Sequence, residues 1–323
     1  MNAKFIINRL IYTLFMFLFV ITFNFILFRL MPGDPLSIMS KEVKSSPETR
    51  ASMERLYGLD KPIAEQYINY VKSMITFDFG MSFNYRMPVA EVLSDKIKNS
   101  VVLALWATPL GIAIGVVMGI VAAAFRGKKA DSIITTSSMV IYAIPSFWLA
   151  MILMLYLGVK FKLVPISGMT NPGMTFATYF DYLKNLAWHM ITPVVSYALA
   201  TFGSYFLIMR SSMLDVFAED FVLTARAKGL SRRKVITRHV VPNAMLPITT
   251  VIITSIALMF TGFFSIEILF SWPGVGRMMV EAVTKQDYPL MQAINFLIAV
   301  AVVITNLLVD ILYGYLDPRV RVE

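Results

Sequence analysis

Six long apolar segments constrain the fold of this chain more than any other feature of its sequence. Each has about 20 residues, the length that an α-helix needs to cross the hydrocarbon core of a bilayer. Helices satisfy their own backbone groups inside lipid, so the sequence predicts an all-α membrane protein with six transmembrane helices. The predicted spans are Leu10–Leu30, Ser100–Phe125, Ile133–Val159, Leu186–Met209, Leu246–Phe270 and Leu290–Tyr313.

The composition supports this class. Hydrophobic residues make up 57% of the chain and charged residues only 15%, against about a quarter charged in soluble domains. The net charge of +9 does not indicate nucleic acid, because the cations stand in short clusters beside apolar segments, where they set topology. The chain has 0 cysteines, which excludes disulfides and thiolate chemistry. The first segment lacks a small-residue cleavage site and is expected to be retained as a signal anchor.

The distribution of Lys and Arg predicts the orientation. By direct count, 14 lie on the side of the N-terminus, nine in the long loop after the first span and five in the short loops on that opposite side, with Arg29 at a helix end. Long loops translocate largely regardless of their charge and are therefore discounted. Both termini, the 126–129 turn and the 210–245 segment are thus predicted to be cytoplasmic.

The long loop at residues 32–99 is predicted to be structured and extracytoplasmic. Ser46-Pro47-Glu48 is a typical helix start and Gly58 a typical stop. A second helix is expected after Pro62, and a third over Pro88–Ile97. These helices serve either as a packing cap or as part of a docking surface for an extracytoplasmic partner. The apolar face of the second comprises Ile63, Tyr67, Tyr70, Val71, Met74 and Ile75.

Several spans carry residues suited to close packing or to a polar pathway. Gly111, Gly115 and Gly119 form two overlapping G-x-x-x-G units, which allow two helix backbones to approach. Pro145 and Pro193 are expected to kink the third and fourth spans. In-span amides favour interhelical hydrogen bonds, and a role in lining a pathway competes with ordinary packing. The candidate lining residues are Tyr142, Ser146, Tyr197, Ser204, Tyr205 and Asn295.

The basic stretch 219–242 is too charged to span and too patterned for a slack loop. Apolar residues from Leu214 onward predict a helix that ends at Gly229 in a left-handed cap. Ser231 is a plausible N-cap for a second helix, which Pro242 is expected to stop. We interpret this stretch as an ordered helix–turn–helix platform on the cytoplasmic membrane surface.

The sequence offers little support for chemistry of its own. It contains no G-x-x-x-x-G-K-[ST], H-E-x-x-H or G-x-S-x-G motif, and no catalytic residue or metal site is predicted. His189 and His239 are expected near opposite faces. Glu267 and Asp310 lie near span ends, which suits ion-coupled secondary transport poorly, although that class remains the alternative. A transporter driven by a separate ATPase fits best, and an intramembrane hydrolase is weaker still.

Motifs along the whole chain resemble the permeases of ATP-binding-cassette (ABC) importers. Their cytoplasmic EAA loop has E-A-A, Gly after three further residues and I-x-L-P after nine more; here Leu223 takes the place of Glu. The T-A-R-A-K-G-L form at 224–230 is similar to the dipeptide/oligopeptide/nickel branch, and the N-terminal part to its first membrane subunit (oligopeptide permease B-like). Further matches are Pro32-Gly33-Asp34-Pro35, Asp78-Phe79-Gly80-Met81-Ser82, Phe270-Ser271-Trp272-Pro273-Gly274-Val275-Gly276-Arg277, Asp287-Tyr288-Pro289, and Asp310 with Leu316-Asp317-Pro318-Arg319.

The resemblance implies a type I importer (MetI-like) fold in a prokaryotic plasma or inner membrane. Its implied partners are a second homologous permease, two ABC ATPase subunits that hold ATP and magnesium, an extracytoplasmic solute-binding protein, membrane lipid and a peptide substrate; no cofactor is expected on this chain. The implied ATPase-coupling residues are Thr224, Ala225, Arg226, Ala227, Lys228, Gly229 and Leu230. Two glycines and a proline predict a shaped turn rather than a helix at 272–276. The turn serves either as an outer gate or binding-protein contact or only as a structural turn, and its residues are Trp272, Pro273, Gly274, Val275 and Gly276.

The expected organisation has three parts. Residues 1–99 comprise the signal anchor and outer loop, residues 100–313 a five-helix permease core that includes the 210–245 loop, and residues 314–323 a cytoplasmic tail. The expected cargo is a dipeptide or oligopeptide, with nickel chelates or another small solute as the alternative within the same class.

Overall fold

The computed structural model of the protein describes residues 3–30, 60–258 and 263–316. These residues are largely helical, and within them the one β-bridge joins Met81 to Pro88, so the all-α prediction is confirmed. The predicted helix over 46–58, the Pro32–Pro35 motif and the 317–323 part of the tail lie outside the described residues.

The described residues form twelve α-helices. In chain order they are α1 Ala3–Leu30, α2 Ile63–Thr76, α3 Val89–Ala124, α4 Lys129–Ala143, α5 Ser146–Leu153, α6 Tyr179–Phe217, α7 Asp220–Ala227, α8 Arg232–Val235, α9 Val241–Leu258, α10 Phe264–Leu269, α11 Val275–Thr284 and α12 Tyr288–Leu316. Two π-helical turns, Met154–Lys160 and Ile236–Val240, continue α5 and join α8 to α9.

The chain divides into two compact units, Met1–Asn99 with Gly274–Glu323 and Ser100–Pro273. In the first unit, α1, α2, the start of α3, α11 and α12 bury a common core that includes Ile21, Met74, Leu93 and Phe296. On α2, Met74 is buried and Tyr67, Tyr70 and Val71 are half-buried, as predicted. Ile63 and Ile75, placed on the same face by the sequence pattern, are instead exposed, because they lie in the first and last turns of α2.

The second unit has three buried clusters. One contains Trp272 and Phe270, another Phe202 and Phe206, and a third underlies α7. Like α3, α6 contributes to all three clusters, and it has 39 residues. It is about 58 Å long at 1.5 Å per residue, so it extends well beyond a bilayer core of about 30 Å.

Within the described residues, five helices are long and apolar enough to span a membrane, or six if the bent pair α4 and α5 with its π turn forms one span. The sequence predicted a kink at Pro145, but the structure has a break with a 100° bend. Ile144 takes ψ 127°, because the ring of a following proline disfavours helical backbone at the preceding residue.

The second span begins earlier than predicted. The sequence placed a separate loop helix over Pro88–Ile97 and began the span at Ser100, whereas α3 is one 36-residue helix from Val89 to Ala124. No glycine or proline separates the two parts, so the change at Ser100 is one of polarity and not of backbone.

The glycine stripe of α3 (Gly111, Gly115 and Gly119) packs against a helix of the same chain, α6. A Cβ at Gly111 would meet Thr201 Oγ1 at 2.7 Å, one at Gly115 would meet Tyr205 Cβ at 2.7 Å, and one at Gly119 would meet Met209 Cβ at 2.8 Å. All three distances are shorter than real Cβ contacts, so the two backbones lie as close as they do only because these positions are glycine.

The fifth span begins and ends closer to the N-terminus of the chain than the sequence predicted. The apolar helical region runs over Arg232–Ile256, and Phe264–Leu269 forms the separate helix α10. Pro242 does not stop the helix that begins at Arg232. The π turn Ile236–Val240 directly precedes it, and such local adjustments accommodate the missing N–H and the bulk of a proline ring in spans.

Candidate functional site

The platform predicted from the basic stretch is built on the short helix α7. Its first turn holds Asp220 and its last turn Arg226, which matches the helix dipole at both ends. The helix ends in a Schellman motif: Gly229 N–H donates to Arg226 O at 2.9 Å and Leu230 N–H to Ala225 O at 3.4 Å. Gly229 has φ +79°, so the predicted left-handed cap is confirmed.

The start of this platform differs from its prediction. The apolar pattern predicts one helix from Leu214 to Gly229, but Leu214 and Phe217 belong to the end of α6. Ala218 caps α6 and Glu219 precedes α7 with extended backbone, so a turn separates two helices that share one periodic pattern. The predicted helix start after Ser231 is confirmed, because α8 begins at Arg232.

One face of α7 is anchored in the chain itself. Val222 is 1% exposed and Ala225 5% exposed. Their cluster also contains residues from α3, α6, α8, the π turn Ile236–Val240 and α9. α7 therefore covers one side of a continuous apolar core. Its other buried members are Ala123, Tyr205, Met209, Met213, Val235, Val240, Ala244 and Ile248.

The opposite face of α7 is exposed and mixes apolar and cationic side chains. Leu223 is 67% exposed and Phe221 41% exposed. Thr224, Arg226, Ala227, Lys228 and Gly229 are exposed as well, and Leu230 is half-buried. Leu223 and Phe221 were not predicted as site residues; two apolar residues beside the buried Val222 on a polar helix were the signal that could have identified them.

A second polar network centres on Asp287, which is fully buried. Its Oδ2 accepts from Ser82 Oγ at 2.5 Å and from Asn84 N–H at 3.0 Å. Its Oδ1 accepts from Leu290 N–H at 3.3 Å, the third residue of α12, so the carboxylate is also an N-cap. Two sequence motifs that carry the family resemblance, at 78–82 and 287–289, therefore meet in space.

A neighbouring tyrosine reinforces this loop. Tyr85 N–H donates to Ser82 Oγ at 3.0 Å, and Tyr85 Oη donates to Glu281 Oε2 at 3.0 Å. Burial, followed by the contact with Glu281, raises the pKa of Tyr85, so the phenol keeps its proton and remains the donor. The result is a compact turn at 77–88 fixed to α11 and α12.

We expect Asp287→Asn to loosen the 77–88 turn. The amide Nδ2 or Oδ1 can satisfy one of the two sides, but not the donors on both oxygens, and an unmet buried donor costs about 1–3 kcal/mol. Limited proteolysis of the reconstituted protein would measure this as faster cleavage within 77–88. Asp181→Asn is the matched control, since that exposed carboxylate also accepts from a hydroxyl, Thr178 Oγ1; equal cleavage of both variants would contradict the expectation.

The stretch predicted as an outer gate or binding-protein contact is only partly a turn. Ser271 (φ +49°) ends α10, with Trp272 N–H donating to Glu267 O at 2.8 Å. The prediction excluded helix here, but Val275 and Gly276 begin α11, because Gly274 serves as its N-cap residue. Trp272 is fully buried, Gly274 and Gly276 are buried, and Pro273 and Val275 are half-buried.

The candidate pathway residues differ in accessibility. Tyr142 and Ser146 are exposed, whereas Tyr205 is buried and Ser204 and Asn295 half-buried. Gly203 lies directly against the Tyr142 ring. In the second unit, the half-buried Tyr197 stacks on Phe263 with ring centroids 3.9 Å apart.

Three further polar residues in or near the predicted spans, Glu267, Asp310 and Asn24, have partners within the chain. Glu267 is 1% exposed, and its Oε1 accepts from Ser100 Oγ at 2.6 Å. Asp310 pairs with Arg9 at 3.0 Å. Asn24 donates to Tyr70 Oη at 2.7 Å and to Gln292 O at 3.1 Å, which confirms interhelical bonding for this amide. Among the described residues, no three His, Asp or Glu side chains gather as a metal site.

The described helices are those of a polytopic membrane protein with a short helix, α7, seated between two of its spans. The chain belongs to the family of binding-protein-dependent transport system inner membrane components: the family model matches residues 115–322, and the model of its N-terminal region matches residues 2–104.

Named relatives are similar over nearly the whole chain. The dipeptide transport system permease protein DppB of Escherichia coli K12 is 35% identical over 98% of both chains. The oligopeptide transport system permease protein AppB of Bacillus subtilis is 33% identical over 99% of both chains. The di/tripeptide transport system permease protein DppB of Pseudomonas aeruginosa is 33% identical over 98% of both chains. The predicted resemblance and the type I importer fold class are thus confirmed.

Proposed function

We propose that this chain is one permease subunit of an ATP-driven importer of dipeptides or oligopeptides and that α7 is its contact with an ATPase subunit. The observation that carries the proposal is α7 itself: its inner face is buried with Val222 and Ala225, and its outer face exposes Leu223 and cations. A helix that transmits movement must be fixed to the permease by one face and accessible to the ATPase by the other. The relatives' names supply the cargo class.

The finer assignment follows from side-chain exposure. Thr224, Arg226, Ala227, Lys228 and Gly229 contact the ATPase directly, while Ala225 and Leu230 hold α7 on the permease. The exposed Leu223 and Phe221 enter an apolar part of the ATPase surface, and the cations face acidic groups or a helix C-terminus. ATP and magnesium are bound by the ATPases, and both termini of this chain lie in the cytoplasm.

The mechanism uses differential affinity. ATP binding draws the two ATPases together, α7 follows each of them, and the spans rock between inward- and outward-facing states around a site near the midplane between two permeases. An effector shifts this equilibrium only as far as its affinities for the two states differ. The seating of α7 must therefore hold in both states.

Purification of this chain by an affinity tag, with its neighbouring genes co-expressed, tests the proposal. The expected result is a complex with a second permease and two ATPase subunits, whose ATP hydrolysis is stimulated by a peptide-loaded binding protein. A chain that purifies without ATPase and takes up solute on a proton or sodium gradient would instead establish secondary transport. Stimulation by a nickel chelate and not by peptides would assign the alternative cargo.

The 272–276 stretch carries the second contact that we propose, with the extracytoplasmic binding protein. Because Trp272 and both glycines are buried, Val275 and Pro273 are the residues that reach the surface. In the full complex, Val275→Cys is expected to crosslink to the binding protein in at least one nucleotide state, and Asp95→Cys serves as an exposed comparison. Failure of Val275→Cys to crosslink in every state would remove this contact.

A further inference from the structure

The turn that joins α3 to α4 is held by two side-chain contacts, one from a residue before α7 in the sequence and one from a residue after it. It comprises residues 125–128, with Gly127 at φ +77° and Lys128 N–H donating to Phe125 O at 2.9 Å. The turn thus connects the end of the second span to the start of the third. It carries no role in the proposed ATPase contact.

The first hold is a bidentate ion pair from α6 to α4. Arg210 Nε donates to Asp131 Oδ1 at 3.0 Å, and Arg210 Nη2 donates to Asp131 Oδ2 at 3.1 Å. Gly127 N–H and Thr135 Oγ1 also donate to this carboxylate, at 3.3 and 3.2 Å. Asp131 is 7% exposed, and a forked arrangement of this kind fixes orientation as well as distance.

The second hold comes from a residue that follows α7 in the sequence. Arg232, the first residue of α8, donates through Nη2 to the carbonyl oxygen of Ala124, the last residue of α3. The last carbonyls of a helix have no partner within the helix, and an arginine side chain is a suitable donor to them. Ala123, beside that carbonyl, lies in the same buried cluster as Val222 and Ala225 of α7.

We propose that α7 and the 125–128 turn move as one body, with Arg210 and Arg232 as the positioning residues that transmit a displacement of α7 to the second and third spans. The inference rests on the proposed ATPase contact. It goes beyond that contact by assigning the route of transmission inside the permease. One of these two arginines precedes α7 in the sequence and the other follows it. A displacement of the helix therefore acts on both contacts.

The absence of cysteine from the chain allows a direct test with two spin labels in the complete complex in nanodiscs. Lys128→Cys and Asp220→Cys place labels at exposed positions of the turn and of the start of α7, outside the residues assigned to the ATPase contact. The expected distance distribution is narrow and the same without nucleotide and after trapping with ATP and vanadate. Two separate distances in the two states would overturn the inference.

Variants of the arginines test transmission. Arg210→Gln and Arg232→Gln are each expected to broaden the distribution and to lower peptide uptake per ATP hydrolysed by at least about fivefold, the lower end of typical allosteric coupling. ATPase subunits should remain bound. Arg238→Gln is the control, since Arg238 is an exposed cation of the following π turn. Arg232 is itself exposed, so its variant keeps the test informative if Arg210→Gln fails to fold.

The outcomes separate the two proposals. If ATPase subunits stay bound and uptake per ATP is unchanged in Arg232→Gln and in any folded Arg210→Gln, the transmission route is wrong and the ATPase contact stands. If ATPase subunits do not contact α7 in the unmodified complex, the proposed function is wrong, and this inference falls with it.

Discussion

Gly229→Trp is expected to reduce peptide uptake at least about tenfold, a loss equivalent to about 1.4 kcal/mol in coupling, while membrane insertion stays normal. Gly229 is exposed, has φ +79°, and a Cβ there would meet nothing within 4 Å. The permease itself therefore has room for the indole, and the strain of a left-handed non-glycine residue is only about 1–2 kcal/mol. If α7 is the proposed ATPase contact, the indole projects from the end of this helix into the ATPase surface and separates the two subunits.

Gly173→Trp is the matched control for that change. Gly173 is also exposed, has φ +72°, and a Cβ there would likewise have no neighbour within 4 Å, but it lies in the connection before α6. Copurification of ATPase subunits and ATP-dependent uptake in proteoliposomes would compare the two variants. Equal behaviour would show that left-handed strain alone, and not an ATPase contact, accounts for the effect.

Gly115→Leu is expected to prevent normal packing of the second and fourth spans. A Cβ at this position would lie against the backbone oxygen of Phe202 and 2.7 Å from Tyr205 Cβ. A backbone neighbour cannot swing aside as a flexible side chain can, so the helices must separate. Overpacking of this kind costs about 3 kcal/mol, and loss of the contacts along the rest of the stripe adds to it.

The thermal midpoint and the yield of monodisperse protein in detergent measure this effect. Val117→Leu is the control, because Val117 is two residues along the same helix and 57% exposed. The control is expected to retain the parent midpoint while Gly115→Leu aggregates or melts at a lower temperature. A Gly115→Leu protein with the parent midpoint would mean that α3 and α6 do not pack through the glycines.

Local signals in the sequence predicted local structure well. The cap at Gly229 and the helix start after Ser231 were found because capping depends on one or two residues. The same reasoning failed at Pro242 and Ile144, where the consequence of a proline depends on whether a π turn or an extended residue accompanies it. It also failed at Ser100, since polarity changes there while the helix continues.

Contacts between distant residues could not be predicted from single-sequence patterns. Asp287 and Ser82 are 205 positions apart, and Arg210 and Asp131 are 79 apart. Each of these residues resembles an ordinary surface residue when its neighbours in sequence are considered alone. Packing of α4 against α6 brings Asp131 to Arg210, and within the other unit the 77–88 turn meets the start of α12, so each pair becomes a buried network.

The sequence predicts the segment of the proposed site but not which of its faces is buried. The T-A-R-A-K-G-L motif at 224–230 identified the segment. The helix phase then assigned Ala225 to the interior and Leu223 to the exterior. Leu223 stands where the general family pattern has Glu, so an exposed apolar side chain occupies the position of a carboxylate.

Site-directed crosslinking from Lys228→Cys in the complete complex tests the central claim most directly, because no other cysteine of this chain competes. The account predicts a crosslink to an ATPase subunit, identified by mass spectrometry, in every nucleotide state. Asp181→Cys, an exposed position in the first turn of α6, is predicted to give none. An ATPase crosslink from Asp181→Cys, or none from Lys228→Cys in any state, would contradict the assignment of α7 as the coupling helix.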